Sequence, residues 1–107
     1  MNKIEISRVS LRKSGGEAMT LVYSVTVDEL VDAVSGEVFS NYGVMVSVPE
    51  SGETASVRGV TLSGDRIFSL ASKLARHRVT PITLRDVLDD WLISQEDIKG
   101  PGEKKAI

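Results

Sequence analysis

Along the first sixty residues, apolar side chains tend to fall on every second position. Met19, Leu21, Tyr23, Val25 and Val27 share one parity, and Thr20, Ser24 and Thr26 hold the other, with Val22 the exception. A period of two marks a half-buried strand, because successive side chains point to opposite faces. Its continuation, Glu29 to Val34, is ambiguous, since Leu30, Val31 and Val34 also fit a short helical turn. Upstream, Ile4 and Ile6 share one parity and Val9 and Leu11 the other. That predicts a strand over residues 3–12 with a bulge where the parity changes. Downstream, a strand is expected over Glu37–Val48, irregular at Asn41-Tyr42-Gly43, and another over Thr54–Val60. Turn chemistry separates these runs at Ser14-Gly15-Gly16, at Ser35-Gly36 and at Pro49-Glu50-Ser51-Gly52.

At Ser63 the period changes. Ile67, Leu70, Ala71 and Leu74 follow the i, i+3, i+4, i+7 spacing of one helical stripe. Ser63 suits the N-cap, Asp65 the positive end of the helix dipole, and Arg76, His77 and Arg78 the negative end. Val79-Thr80-Pro81 ends the helix, because proline disfavours helical geometry in the residue before it. A second helix begins near Thr83, with Asp86 at capping-box spacing and Leu84, Val87, Leu88, Trp91 and Leu92 on one face. Leu62 with Ile67, and Ile82 with Val87, are spaced as hydrophobic staples.

Strands first and helices second is an α+β order. The expected fold is a mostly antiparallel sheet of about four strands, a β-meander, followed by two C-terminal helices packed on one face. Tyr23, Val44, Val46, Val57, Leu70, Leu74, Val87, Leu88 and Trp91 are the expected core. Residues 1–94 form a single domain on this reading. Residues 95–107, polar and broken by Gly and Pro, are expected to be a disordered tail.

Composition narrows the chemistry. With 107 residues there is room for one ordinary domain. There is no cysteine and a single histidine, His77. Disulfides, thiolate metal sites and cysteine nucleophiles are therefore excluded, and multi-imidazole sites cannot be built from one chain. No apolar run is long enough to span a membrane, and the start lacks the apolar core of a signal peptide. A cytoplasmic protein is the expectation.

The net charge of −2 hides a segregation. Residues 14–57 hold seven carboxylates and no lysine or arginine, whereas residues 58–85 hold six basic residues against Asp65 alone. Arg66, Lys73, Arg76 and His77 fall within about a 100° sector of the first helix, away from its apolar stripe. This stripe is the candidate partner-binding surface, with Tyr42 added because an irregular strand can aim a side chain outward. The plainer alternative is a solvated face, or one answering the acidic strands of the same chain. Nucleic acid would suit the stripe too, but a sequence pI of 5.4 and only five aromatics disfavour it. Asp86, Asp89 and Asp90 share a face of the second helix. Mutual repulsion and exposure make them a poor metal or acid–base set. His77 has no suitably spaced nucleophile, and Gly15-Gly16 lacks phosphate-loop spacing. No cofactor and no catalytic residue is expected. The expected partner is a protein or a second copy joined through a sheet edge.

Three stretches resemble a family of small proteins of spore-forming Gram-positive bacteria defined only as a domain of unknown function. They are Tyr23-Ser24-Val25, Asn41-Tyr42-Gly43-Val44, and the run from Thr80 to Leu92 that contains Asp86-Val87 and Asp89-Asp90-Trp91-Leu92. Thr83 stands where the family pattern has His, and Trp91 where it has Phe. The resemblance implies a cytosolic bacterial protein and brings no activity with it.

Overall fold

A computed structural model describes residues 2–12 and 15–99. Strands β1 (Asn2–Arg12), β2 (Ala18–Val31), β3 (Val38–Val48) and β4 (Glu53–Thr61) precede helices α1 (Gly64–Arg76) and α2 (Leu84–Lys99). The sheet order is β1-β2-β3-β4 and every pairing is antiparallel, so the chain is a meander capped by two helices. The α+β expectation is met.

The register explains the broken parity of β1. Glu5 pairs with Ser24 and Ser7 with Tyr23, which leaves Ile6 as an extra residue in a bulge. The extra residue lets Ile4, Val9 and Leu11 share a sheet face although their sequence parities differ. It also brings Glu5 and Arg8 to the other face, where they pair at 2.9 Å.

One face of β2 and β3 presents Leu21, Tyr23, Val25, Val44, Val46 and Val48, and α1 covers it with Ile67, Leu70, Ala71 and Leu74. Leu84 and Leu88 of α2 complete the buried cluster, and Val57, Val87 and Trp91 pack half-buried at its margin. All nine expected core residues belong to this cluster or pack against it. A chain of this size has one such core to stabilise it.

Tyr23 ties the two layers together. Its ring is fully buried and its hydroxyl donates to the Val79 carbonyl at 2.9 Å. Val79 is held there by the end of α1. The Arg78 amide donates to Ala75 and the Val79 amide to Leu74, a Schellman closure with Arg78 in the left-handed region at φ 52°. Glycine is the usual residue at that position.

The structure differs locally from several sequence expectations. β3 runs unbroken through Asn41-Tyr42-Gly43, and the irregularity lies in β4. Tyr42 pairs with Thr61 and Val44 with Val57, so β4 bulges at Arg58-Gly59-Val60. Gly43 is needed because β4 presses on it. A side chain there would meet the Val57 carbonyl oxygen, the Thr26 hydroxyl and the Arg58 Cα. The β2–β3 turn is wider than Ser35-Gly36. It is closed by Asp32 N–H to Glu37 carbonyl and Gly36 N–H to Asp32 carbonyl, with Gly36 at φ +77°. Residues 29–31 are strand, not helical turn.

At the helix starts, Ser63 caps α1 as expected, accepting from the Arg66 amide. The Thr83 hydroxyl instead exchanges hydrogen bonds with Thr80, so the expected capping box with Asp86 is not what holds the start of α2. Leu62 and Ile82 are exposed. The intended staple partners, Ile67 and Val87, are covered by the core instead. Helix α2 continues to Lys99, into the segment expected to be disordered, because no residue up to that point breaks a helix. Residues 100–107 of that segment lie outside the described residues.

Candidate functional site

The expected basic stripe lies on α1. Burial of Ile67, Leu70, Ala71 and Leu74 fixes the rotation of the helix, and Arg66, Lys73 and Arg76 are left exposed. From Arg66 to Arg76 the stripe is about 15 Å long at the helical rise. Tyr42 is placed differently. It is half-buried at the edge of the core, beside Gly64 in the first turn of α1. It supports the start of the stripe and does not project from the surface as a free ring.

Among the described residues there are two ion pairs. Glu5 with Arg8 lies within β1. The other is a two-bond pair between Arg58 and Asp28, with Nη2 to Oδ1 at 2.8 Å and Nε to Oδ2 at 2.9 Å. This second pair joins the basic segment to the acidic one across β3, beside the bulge over Gly43. None of Arg66, Lys73 and Arg76 is in an ion pair among the described residues. The acidic and basic segments therefore meet at Arg58, not at α1.

Several acidic side chains have structural tasks that hold them ionised. The Arg58 guanidinium lowers the Asp28 pKa. Asp32 accepts from the Val34 and Ser35 amides, which lowers its pKa. Glu50 accepts from the Thr20 hydroxyl and amide, which lowers its pKa and closes off an amide at the end of β2 where β3 has already turned away. A lowered pKa moves a carboxyl away from the protonated form a general acid needs. Asp86, Asp89 and Asp90 are exposed on α2, and among the described residues no three acidic or histidine side chains come together as a metal set.

The sequence reading missed the most unusual surface. β1 begins opposite Val27 and β4 ends opposite Tyr42, but β2 and β3 continue pairing to Val31 and Val38. Residues 28–41 therefore extend beyond the four-stranded body as a two-stranded arm whose outer edges pair with no strand among the described residues. Leu30 and Phe39 pair on one face of it and Val31 and Val38 on the other. Exposure is 44% at Leu30, 66% at Val31, 96% at Val34, 59% at Val38 and 40% at Phe39. Exposed apolar pairs on both faces of one ribbon mark an interaction site more often than a scattered leucine does. The arm is also acidic, with Asp28, Glu29, Asp32 and Glu37 and no basic residue. The available signal was the apolar run from Leu30 to Phe39 with no alternation to bury it. What was missing was the register that shows neighbouring strands stopping short.

A cleft of about 550 Å³ lies at the base of the arm, lined by Asp28, Glu29, Leu30, Asn41, Arg58 and Gly59. Another, of about 420 Å³, lies at the opposite turn end and is lined in part by Glu17, Glu50 and Glu53. Among the described residues no helix is long and apolar enough to cross a membrane.

A four-stranded meander covered on one face by two helices, with charged side chains on α1 and an apolar arm, defines a small two-layer α+β domain. The chain belongs to a family of unknown function, DUF6514, whose model matches residues 2–94. Comparison with curated proteins and with solved structures gave no match.

Proposed function

We propose that this chain is a small cytosolic protein-binding or regulatory module of spore-forming Gram-positive bacteria, without catalytic activity. Its contact surface is formed by the β2–β3 arm and the basic face of α1. The observation that carries this reading is the arm. Five large apolar side chains on a ribbon with no core of its own cost stability unless a partner covers them, since isolated two-stranded ribbons are marginal in water. Exposed Arg66, Lys73 and Arg76 supply polar contacts that set partner choice and orientation.

The test is affinity capture from native-host lysate, with and without nuclease. It compares the intact chain with two variants shown by circular dichroism to be folded. One is Val31→Thr with Val38→Thr and Phe39→Thr, and the other is Arg66→Glu with Lys73→Glu and Arg76→Glu. A protein retained through nuclease and lost in both variants supports the reading. Recovery of nucleic acid alone, released at moderate salt, overturns it in favour of nucleic-acid binding. Equal capture by all three chains also overturns it.

A further inference from the structure

Main-chain groups along an antiparallel strand point alternately to one neighbour and to the other. In the arm, the Asp32 amide donates to the Glu37 carbonyl at 2.8 Å, so these two residues turn their main chains toward each other. By alternation Val31–Val38 is a non-bonded pair and Leu30–Phe39 a bonded one. Phe39 therefore directs its amide and carbonyl to β2, and Val38 and Ser40 direct theirs outward, to the side of β4. But β4 pairs no further than Tyr42, and the Ser63 amide beyond it turns back to the Thr61 hydroxyl. The outward amides and carbonyls of Val38 and Ser40 have no main-chain partner among the described residues.

We propose that Val38-Phe39-Ser40 pairs antiparallel with the same segment of a second copy about a two-fold axis, joining the two sheets edge to edge. The inference rests on the reading of the arm as a contact surface and names its occupant.

Self-complementarity carries the argument. With Phe39 facing Phe39 across the axis, Val38 of each copy lies opposite Ser40 of the other. Each such pair exchanges two hydrogen bonds, so every outward amide and carbonyl of both edges finds a partner. Facing residues must share a sheet face, so the register can move only in steps of two residues. One step sets Val38 against Tyr42, whose edge Thr61 already holds, and the other sets Ser40 against Gly36 in the turn.

The side chains agree. Leu30 and Phe39 pair on the face away from the helices, so the contact extends them into one row of Leu30, Phe39, Phe39 and Leu30 across the axis. The two Phe39 residues form a non-bonded pair, the arrangement in which facing side chains come closest, and cross-strand aromatic pairs are stabilising.

Other edges carry features that oppose such pairing. β1 has Lys3, Arg8, Arg12 and a bulge, and β4 has its own bulge beside Arg58. On the β2 side of the arm, a pairing centred on Leu30 would set Asp28 against Asp32 of the other copy, and facing like charges are disfavoured. Val38-Phe39-Ser40 holds no charge and no proline, and its pairing with β2 is regular. Each copy uses one edge only, so association closes at the dimer.

Sedimentation equilibrium of the purified full chain tests this, in low salt and at up to about 100 µM protein. The expected mass is twice the 11.6 kDa of the monomer. Ser40→Pro removes an outward amide that its own chain does not use in the ladder, and gives a folded monomer by Trp91 fluorescence. Phe39→Lys and Phe39→Glu each give a monomer, because like charges then face each other across the axis. Mixed in equal amounts, these two variants associate, since lysine now faces glutamate, and that recovery also proves both folded. The proposal is overturned by a monomeric intact chain, by a dimer that persists in folded Ser40→Pro, or by a mixture that associates no more than either variant alone. A monomeric intact chain that still captures a lysate protein through the arm would refute self-pairing and leave the protein-binding reading standing.

Discussion

Replacing Tyr23 with phenylalanine tests the joint between sheet and helices. The phenyl ring keeps the buried volume and removes only the hydroxyl that donates to the Val79 carbonyl at 2.9 Å. That carbonyl belongs to a buried residue, so it is left without this donor. Removing one partner of a buried hydrogen bond costs about 1–3 kcal/mol. With a urea dependence of roughly 1–3 kcal/mol per molar, the unfolding midpoint should fall by about 1 M. Trp91, the single tryptophan, packs half-buried against the core and gives a fluorescence signal for the transition. A second readout is independent of the first. Burial pushes the Tyr23 hydroxyl from its ordinary 10.0 up to about 12, opposed only by the Arg78 charge. Between those values the unfolded chain gives up the proton and the folded chain keeps it. The contribution is therefore complete below pH 10 and is lost as pH rises toward 12. Two pKa units correspond to about 2.7 kcal/mol. The intact chain should lose that much more stability than Tyr23→Phe over this interval. An unchanged urea midpoint, together with parallel alkaline losses in the two proteins, would refute the reasoning.

Three further substitutions probe two backbone positions and one buried hydroxyl. Gly43→Ala sets a methyl against the Val57 carbonyl oxygen and 2.7 Å from the Arg58 Cα, and should cost about 3 kcal/mol by denaturant unfolding. A loss well below 1 kcal/mol would mean the β4 bulge is free to move. Arg78→Gly removes a side chain from the left-handed region and should stabilise by about 1 kcal/mol, raising the calorimetric midpoint by roughly 5 °C. A lowered midpoint would show that the Arg78 side chain contributes more than its backbone costs. Thr26→Val removes a buried hydroxyl that has no hydrogen-bond partner among the described residues, with little change of shape, and should raise stability by about 1 kcal/mol in urea. A fall in stability would show that the hydroxyl is held.

Legibility in the sequence followed the strength of local periodicity. The alternation in β2 and the helical stripe of α1 were strong enough to place Tyr23, Leu70 and Leu74 in the core without knowledge of the partners. The parity change in β1 identified its bulge, because a one-residue insertion is written directly into the pattern. Features that depend on a neighbouring strand were not legible. Gly43 read as part of an irregular strand, but its reason lies in β4, fifteen residues away at Arg58. Val31 and Val38 read as ordinary strand residues, and only the register shows that β1 and β4 stop before reaching them. The cap of α2 failed for a different reason, a local one, since Thr80 competes for the Thr83 hydroxyl. Arg66, Lys73 and Arg76 were placed correctly on an open face because helical period alone decides that. What meets them is not encoded in any local spacing.

The strictly sequential strand order has a consequence for how the chain comes into being. Each strand pairs with the one made just before it, so every hairpin can close while the rest of the chain is still emerging from the ribosome. Contacts between near neighbours in sequence close quickly. The cost is an interval after Thr61 in which the sheet exists and its cover does not, since α1 begins only at Gly64. During that interval Leu21, Val25, Val44 and Val46 face water on every nascent copy. Residues 1–61, which make that uncovered sheet, hold eight carboxylates against five basic residues. The resulting net negative charge disfavours association of half-made copies until the positively charged helix is added.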